Sequence, residues 1–372
     1  MTRPSIAASL ALLALSFAFP VGEAAEQSIG WGSQPELLLA ALVPVAAAIA
    51  LAAFRRQAAV MGGLAAGGAA IGVVAPLALL QAGATVGWAP GFWLYVAGLL
   101  VLGWQALEHL SEARAPAWVG TLLVPGLFGL MVLTLWQVLV DAFAIPAVLL
   151  PGPARVAQAL AGNLGLFWQD FRQTFLKSVL AGFAFGSGGG FLVAILVERS
   201  PFLERGLLPL GSLVSAIPIV GVAPIMVMWF GFDWQSKAAV IVVMTFFPML
   251  VNTLAGLHGA GAIERDLMRS YAAGYRQTLF KLRLPAALPF IFNALKINST
   301  LALIGAIVAE FFGTPVVGMG FRISVEIGRM NLDMVWATIA VAALAGSMFY
   351  GILALLERGL TFWHPSYREQ VR

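Results

Sequence analysis

Apolar runs follow one another along this chain, each too long for a strand and separated by short polar or proline-broken stretches. They fall at about 36–53, 58–82, 91–107, 118–142, 177–197, 206–230, 237–255, 286–309 and 334–357. Each approaches the roughly 20 residues a helix needs to cross the hydrocarbon of a bilayer. A further run begins at Ile6, after a single Arg, and ends in Pro20 and small residues at Gly22, Ala24 and Ala25. That is the layout of a secretory signal peptide or of a first span. The stretch 143–170 is broken by Pro146, Pro151 and Pro153, and reads as an extramembrane connection ending in a short amphipathic segment.

Composition turns this pattern into a class. Mean hydropathy is +0.92, with 60% of residues hydrophobic and only 10% charged, too few charges to cover a soluble surface. The chain is therefore a polytopic membrane protein, and runs of this length form bundled helices, which satisfy their own backbone polar groups. The absence of cysteine removes disulfides and thiolate chemistry. The three histidines, His109, His258 and His364, are far apart in sequence, so a metal site or a His-based triad is not expected. The net charge of +4 suits basic cytoplasmic loops beside anionic lipid, and no nucleic-acid partner is expected. Glycines at four-residue spacing, Gly182–Gly186–Gly190, Gly63–Gly67 and Gly68–Gly72, are suited to close helix packing.

One polar island interrupts the apolar pattern. "IERDLMRSYAAGYRQTLFKLRLP", residues 263–285, holds Glu264, Arg265, Asp266, Arg269, Arg276, Lys281 and Arg283. Helix formers run from Ile263 to Tyr271, the small residues Ala272, Ala273 and Gly274 permit a turn, and a second helical stretch leads to Leu284–Pro285. A basic, amphipathic helix–turn–helix of this kind is suited to docking in a groove of a cytoplasmic partner. Placing it on the cytoplasmic side puts ten Lys and Arg residues of 118–372 inside and six outside, the asymmetry expected of that orientation. Arg55, Arg56 and Arg114 also fall inside, as does the C-terminus.

From about Trp118 to His364 the chain resembles the permease subunits of bacterial ABC importers of the nitrate/taurine/alkanesulfonate type. Their cytoplasmic loop carries E-A-A-x3-G-x9-I-x-L-P, and counting back from Leu284–Pro285 puts Leu282 at the Ile position, Ala272 at the Gly position and Asp266 at the Glu position. Leu267 and Met268 replace the two alanines, and Gly274 lies two residues beyond the motif glycine. "LLPGPARVAQAL", "AIPIVGVAPIMVMWFGF" and "VAEFFGTPVVGMGF" resemble, in order, the family's external segment, its third core span and the turn after its fifth. The resemblance implies an all-α membrane fold with a six-helix type I importer permease core at 118–372, whose coupling loop is 256–285. About three extra transmembrane helices precede it in an accessory region at 26–117, after a signal peptide or first span at 1–25. It further implies a homodimer in the inner membrane, in contact with lipid, two ATPase subunits docked on the loop and an extracytoplasmic solute-binding protein. No G-x4-G-K-[ST] occurs in the chain, so ATP and Mg are expected on the partner ATPase and no cofactor on this chain.

Polar side chains at bilayer depth mark candidate routes. Asn293, Lys296 and Thr300 fall on one helical face beside Asn298 and Ser299. Lys296, about 16 Å along a helix from Pro285, either snorkels to the headgroups, bonds a neighbouring helix or lines the pathway. Pro218 and Pro224 break backbone hydrogen bonding in one span and either kink it or open a cavity. Trp229, Glu310, Gly318 and Gly320 are the candidate external gate. The chief alternative is a secondary transporter driven by an ion gradient, which calls for carboxylates in mid-span and broken inverted repeats. Here the acidic residues cluster at span ends. The solute is not readable from these residues, although "ALKINSTLALIGAIVAEFFGTPVVGMGFRI" is similar to the pyrimidine-precursor branch of the family.

Overall fold

The computed structural model describes residues 3–24, 27–31, 35–53, 58–81, 87–112, 116, 118–215, 217–313 and 316–362. Arg55, Arg56, Arg114, His364, Arg368 and Arg372, and the leader's end at Ala25, lie outside them. The chain divides into two compact units, Met1–Arg155 and Val156–Arg372.

The first unit is built from α1 (Arg3–Ser16), α2 (Pro35–Ala53), α3 (Ala58–Gly72), α4 (Val74–Gln81), α5 (Pro90–Glu112) and α6 (Val124–Ala142). Its departure from an all-helical chain is a scrap of antiparallel sheet, β1 (Gly22–Ala24) between β2 (Gln27–Ile29) and β3 (Gly87–Trp88). The core is aromatic. The Trp31 and Tyr95 rings lie 4.6 Å apart, the Trp31 indole N–H donates to the Ser16 carbonyl, and the Tyr95 hydroxyl donates to the Gly72 carbonyl. Polar atoms so deep in an apolar layer need such partners. Near the end of α6, Gln137 donates to Asp141 and accepts from the Ala154 N–H, so that carboxylate is used in holding the following turn.

The second unit contains α7 (Pro153–Gly162, begun in the first), α8 (Leu164–Phe171), α9 (Leu180–Val197), α10 (Pro201–Ser215), α11 (Ile219–Phe230) and α12 (Trp234–His258). There follow α13 (Ala262–Ser270), α14 (Tyr275–Thr278), α15 (Leu284–Glu310), α16 (Met319–Gly328) and α17 (Leu332–Leu360). π-helical turns at Arg172–Val179 and Leu279–Arg283 join α8 to α9 and α14 to α15 without a break. Gly182, Gly186 and Gly190 face α12, where a Cβ would overlap Ile241, Thr245 or the Phe246 carbonyl. This spacing therefore fixes α9 against α12, and Gly68 and Gly72 are likewise closely packed, whereas a Cβ at Gly63 or Gly67 would meet no neighbour.

Among the described residues six helices are long and apolar enough to cross a membrane: Pro90–Glu112, Val119–Ala142, Leu164–Val197, Trp234–His258, Tyr275–Glu310 and Leu332–Leu360. Two runs read from sequence as single spans are divided. The run at 206–230 breaks before Pro218, which has an extended backbone and no N–H to continue a helix, leaving α10 and the twelve-residue α11. The run at 58–82 divides at Val73 into α3 and α4. Apolar composition alone does not separate one helix from two that meet at a break.

Candidate functional site

The polar island folds as the helix–turn–helix its sequence predicts. No residue of α13 is buried. Ile263 is 84% and Tyr271 78% exposed, and with the exposed Leu267 they form an apolar stripe at i, i+4 and i+8. Arg269 and Asp266 pair across one exposed turn at 3.2 Å. The helix ends in a Schellman arrangement: the Ala272 N–H bonds the Arg269 carbonyl at 2.9 Å and the Ala273 N–H the Met268 carbonyl at 3.0 Å. Ala272 accordingly has φ of 50°, the left-handed conformation that favours glycine. Gly274 is an ordinary extended cap at φ −68°, its N–H held by the Gln277 side chain. The turn thus falls where the loop register puts the motif glycine, not at the glycine actually present.

The second half of the island is anchored by a residue the sequence reading missed. Glu198, just after α9, has a side chain only 5% exposed and forms an ion pair with Arg283. The same carboxylate accepts the Tyr275 hydroxyl at 2.8 Å, and the Arg199 guanidinium lies 4.2 Å from the centre of the Tyr275 ring. Both ends of residues 275–283 are therefore tied to the end of α9. Of the other loop candidates, Glu264 is exposed and Arg265 half-buried on α13, with the Arg265 Nε donating to the Gly261 carbonyl. Leu282, Leu284 and Pro285 are half-buried where the loop re-enters the bundle.

The 27 residues of α15 separate the island from a second polar cluster by about 40 Å. Glu310, buried at that end, accepts from the Thr174 hydroxyl and the Gly320 N–H, both at 2.7 Å. Thr174 in turn accepts from the Met319 N–H. Asp170 accepts from the Gly318 N–H at 2.8 Å and from the Arg322 guanidinium at 2.9 Å. Gly318 has φ of 143° and faces Glu310 so closely that a Cβ would lie 2.8 Å from the carboxylate. Lys237 is fully buried, donating to the Phe232 and Gly313 carbonyls and to the Ser236 hydroxyl. Asp233, outside the spans, receives the Gln173 side-chain N–H at 2.7 Å. That bond, helped by the Trp234 N–H and the charges of Lys177 and Lys237, holds its carboxyl below the usual carboxylate range.

Glu310, Gly318 and Gly320 thus come together as the sequence grouped them. Trp229 stands apart on α11 with its ring exposed. The route candidates are not gathered. Lys296 bonds Glu357 of α17 at 2.7 Å, whereas Asn293 and Thr300 are exposed on a face they share with Ile297 and Ile304. Of the three readings of Lys296, the helix–helix bond is the one observed. Asn298, beside that face in sequence, turns inward to Ser187 and the Thr245 carbonyl. Pro218 caps α11 and Pro224 lies within it. Asp170, Thr174 and Lys237 had no signal beyond being polar residues near span ends.

Six apolar helices of membrane-spanning length and a projecting polar loop define a multi-pass helical membrane protein. Residues 186–362 match the family described as binding-protein-dependent transport system inner membrane component. The chain is 34% identical over 244 residues to a riboflavin transport system permease protein of Chloroflexus aurantiacus, covering 64% of this chain and 88% of that one. It is 32% identical over 242 residues to a formylaminopyrimidine transport permease protein of Halalkalibacterium halodurans, covering 65% and 96%. It is 30% identical over 265 residues to a putative aliphatic sulfonates transport permease protein of Bacillus subtilis, covering 71% and 94%. The chain belongs to this family, as an ABC importer permease of the nitrate/taurine/alkanesulfonate type. It is a multi-pass membrane transport subunit for small solutes and not an enzyme, and its family implies an ATPase and a solute-binding protein as partners.

Proposed function

We propose that residues 263–285 dock a cytoplasmic ATPase whose ATP- and Mg-driven closure is converted by this chain into a change of access across the inner membrane. The observation that carries the reading is the stripe Ile263, Leu267 and Tyr271, left uncovered on a helix with no buried residue while the second half of the loop is anchored to the bundle. An apolar stripe on a projecting helix is the surface a partner's groove receives. The loop and the C-terminus are cytoplasmic in this reading, and the cluster around Glu310, Gly318 and Gly320, with Trp229 nearby in sequence to its supporting loop, forms the external gate. Two copies form a homodimer embedded in lipid, and the exposed face of Asn293 and Thr300, with Pro218 and Pro224 opening α11, lines the route between them. Residues 118–372 are the transport core and 26–117 an accessory region, a division supported by relatives whose matches leave about a third of this chain unaccounted for. The solute arrives on a binding protein and is a pyrimidine precursor or another small organic compound, a reading supported by the formylaminopyrimidine and riboflavin permeases among the relatives.

The test is co-purification with the ATPase. Leu267→Asp with Tyr271→Asp is expected to abolish capture of the ATPase while membrane abundance and thermal unfolding of the permease stay unchanged. Undiminished capture by that variant would refute the docking role. Thermal-shift screening of the binding protein against pyrimidines, riboflavin and sulfonates tests the solute class.

A further inference from the structure

At the end of the second unit remote from the island, an open cavity of about 560 Å³ lies between the π-helical turn after α8, the loop after α11 and the loop before α16. Leu164–Val197 is a helix of 34 residues, about 51 Å long and so well beyond a hydrocarbon core of about 30 Å. The eighteen-residue α9 nearly spans that core by itself, which leaves the turn Arg172–Val179 at the headgroup and water level. In a π-helix residues five apart stack, and such turns recur at functional sites. This one brings Arg172 and Lys177 to the cavity wall together.

The charges around this end differ in one respect. Asp170, Glu310 and Lys237 are buried and consumed by backbone groups, Thr174 and Arg322. The Arg172 guanidinium has no hydrogen-bond or ion-pair partner among the described residues and lines the cavity, and Lys177 uses one donor, to the Gln173 side-chain amide oxygen at 3.0 Å. Gln173, itself buried, gives its N–H to Asp233 at 2.7 Å. Its side chain therefore stands between Lys177 and Asp233 and keeps two opposite charges from cancelling in a direct pair. Gly231, next to Phe232 of the cavity lining, and Gly318, next to Val317, both have positive φ.

We infer that Arg172 and Lys177 form a receiving site for the carboxylate or sulfonate of a small organic acid, with Gln173, on the same turn, linking Lys177 to Asp233 of the neighbouring loop. A guanidinium fork holds such a planar or trigonal oxyanion through two N–H donors, and the ammonium adds a second charge. As the entry point of the transported solute, the site rests on the reading of this chain as a solute permease. Anion binding itself does not depend on ATPase docking, so failure of either experiment leaves the other standing.

The test uses the full chain in nanodiscs of zwitterionic lipid, with methanesulfonate as the probe and uncharged dimethyl sulfone as its near-isostere, read by saturation-transfer NMR of the methyl signals. Methanesulfonate is expected to bind and dimethyl sulfone not. Arg172→Gln with Lys177→Gln is expected to weaken binding about tenfold, and Arg172→Lys, which keeps the charge but loses the fork, to weaken it by less than the double Gln variant. Asp233→Asn, which removes the one carboxylate on the wall, is expected to tighten binding, a gain that a misfolded variant would not give. Equal signals from the two probes, or no loss in the double Gln variant at an unchanged unfolding midpoint, would overturn the inference. Complete loss of the methanesulfonate signal when anionic lipid is introduced would assign the cavity to lipid headgroups and overturn it equally.

Discussion

Replacing Glu198 by Gln isolates what holds the island to the bundle. The amide keeps the volume and can still accept the Tyr275 hydroxyl, but Arg283 loses its counter-charge beside a side chain only 5% exposed. A hydrogen bond to a charged group is worth about 1.5–3 kcal/mol, and the Arg283 side of the pair is partly open to water, so the expected cost is about 2 kcal/mol. Because every 1.4 kcal/mol is tenfold, local opening should become about thirtyfold more frequent. Hydrogen exchange read at the amides of Leu279–Arg283 should quicken by that factor, with α12 unchanged. Combining Glu198→Gln with Arg283→Gln should cost less than the sum of the two, as expected for groups in contact. Unchanged exchange at Leu279–Arg283, or acceleration spread evenly over α9 and α12, would refute the anchoring role.

Ala272→Gly should raise stability by about 1 kcal/mol, since it relieves a left-handed alanine; a lower unfolding midpoint or faster exchange in the last turn of α13 would contradict that. Gly318→Ala should destabilise by at least about 2 kcal/mol, because φ of 143° is open to glycine and the new Cβ meets Glu310; a wild-type melting curve would count against the described turn. Lys296→Met should lower membrane abundance by leaving Glu357 an unpaired charge, at about 3 kcal/mol, and adding Glu357→Gln should restore it. Wild-type uptake per molecule in that double variant would mark the pair as structural, whereas persistent loss of uptake at restored abundance would return Lys296 to the solute route.

Much of the helical plan was legible because apolar length is a one-dimensional signal. Residues 237–255 and 334–357 lie inside α12 and α17, and the turn at 272–274 was readable from its small residues. What composition misses is where a helix stops inside an apolar run: Pro218 breaks one before α11, yet Pro248 sits within the continuous α12. The loop register was readable from Leu284–Pro285, and the left-handed Ala272 falls at the glycine position of that register although its identity is degenerate. Glu198, Asp170 and Thr174 were not legible. Each acts on groups 77 to 152 residues away in sequence, and a lone carboxylate or hydroxyl at a span end has no local pattern that announces its partner. Lys296 was noticed but its partner Glu357 was not, for the same reason.

The claim that the island receives the ATPase is tested most directly by footprinting, which the natural absence of cysteine makes clean. Single cysteines at Ile263, Leu267 and Tyr271 on the exposed stripe, and at the exposed Phe232 near the opposite end as a control, would be labelled with a maleimide with and without the ATPase in nanodiscs. Labelling of the three stripe positions should fall at least tenfold when the ATPase is bound, while the Phe232 position labels at the same rate. Equal labelling of Leu267→Cys and Tyr271→Cys in both conditions, with the ATPase demonstrably bound, would contradict the account.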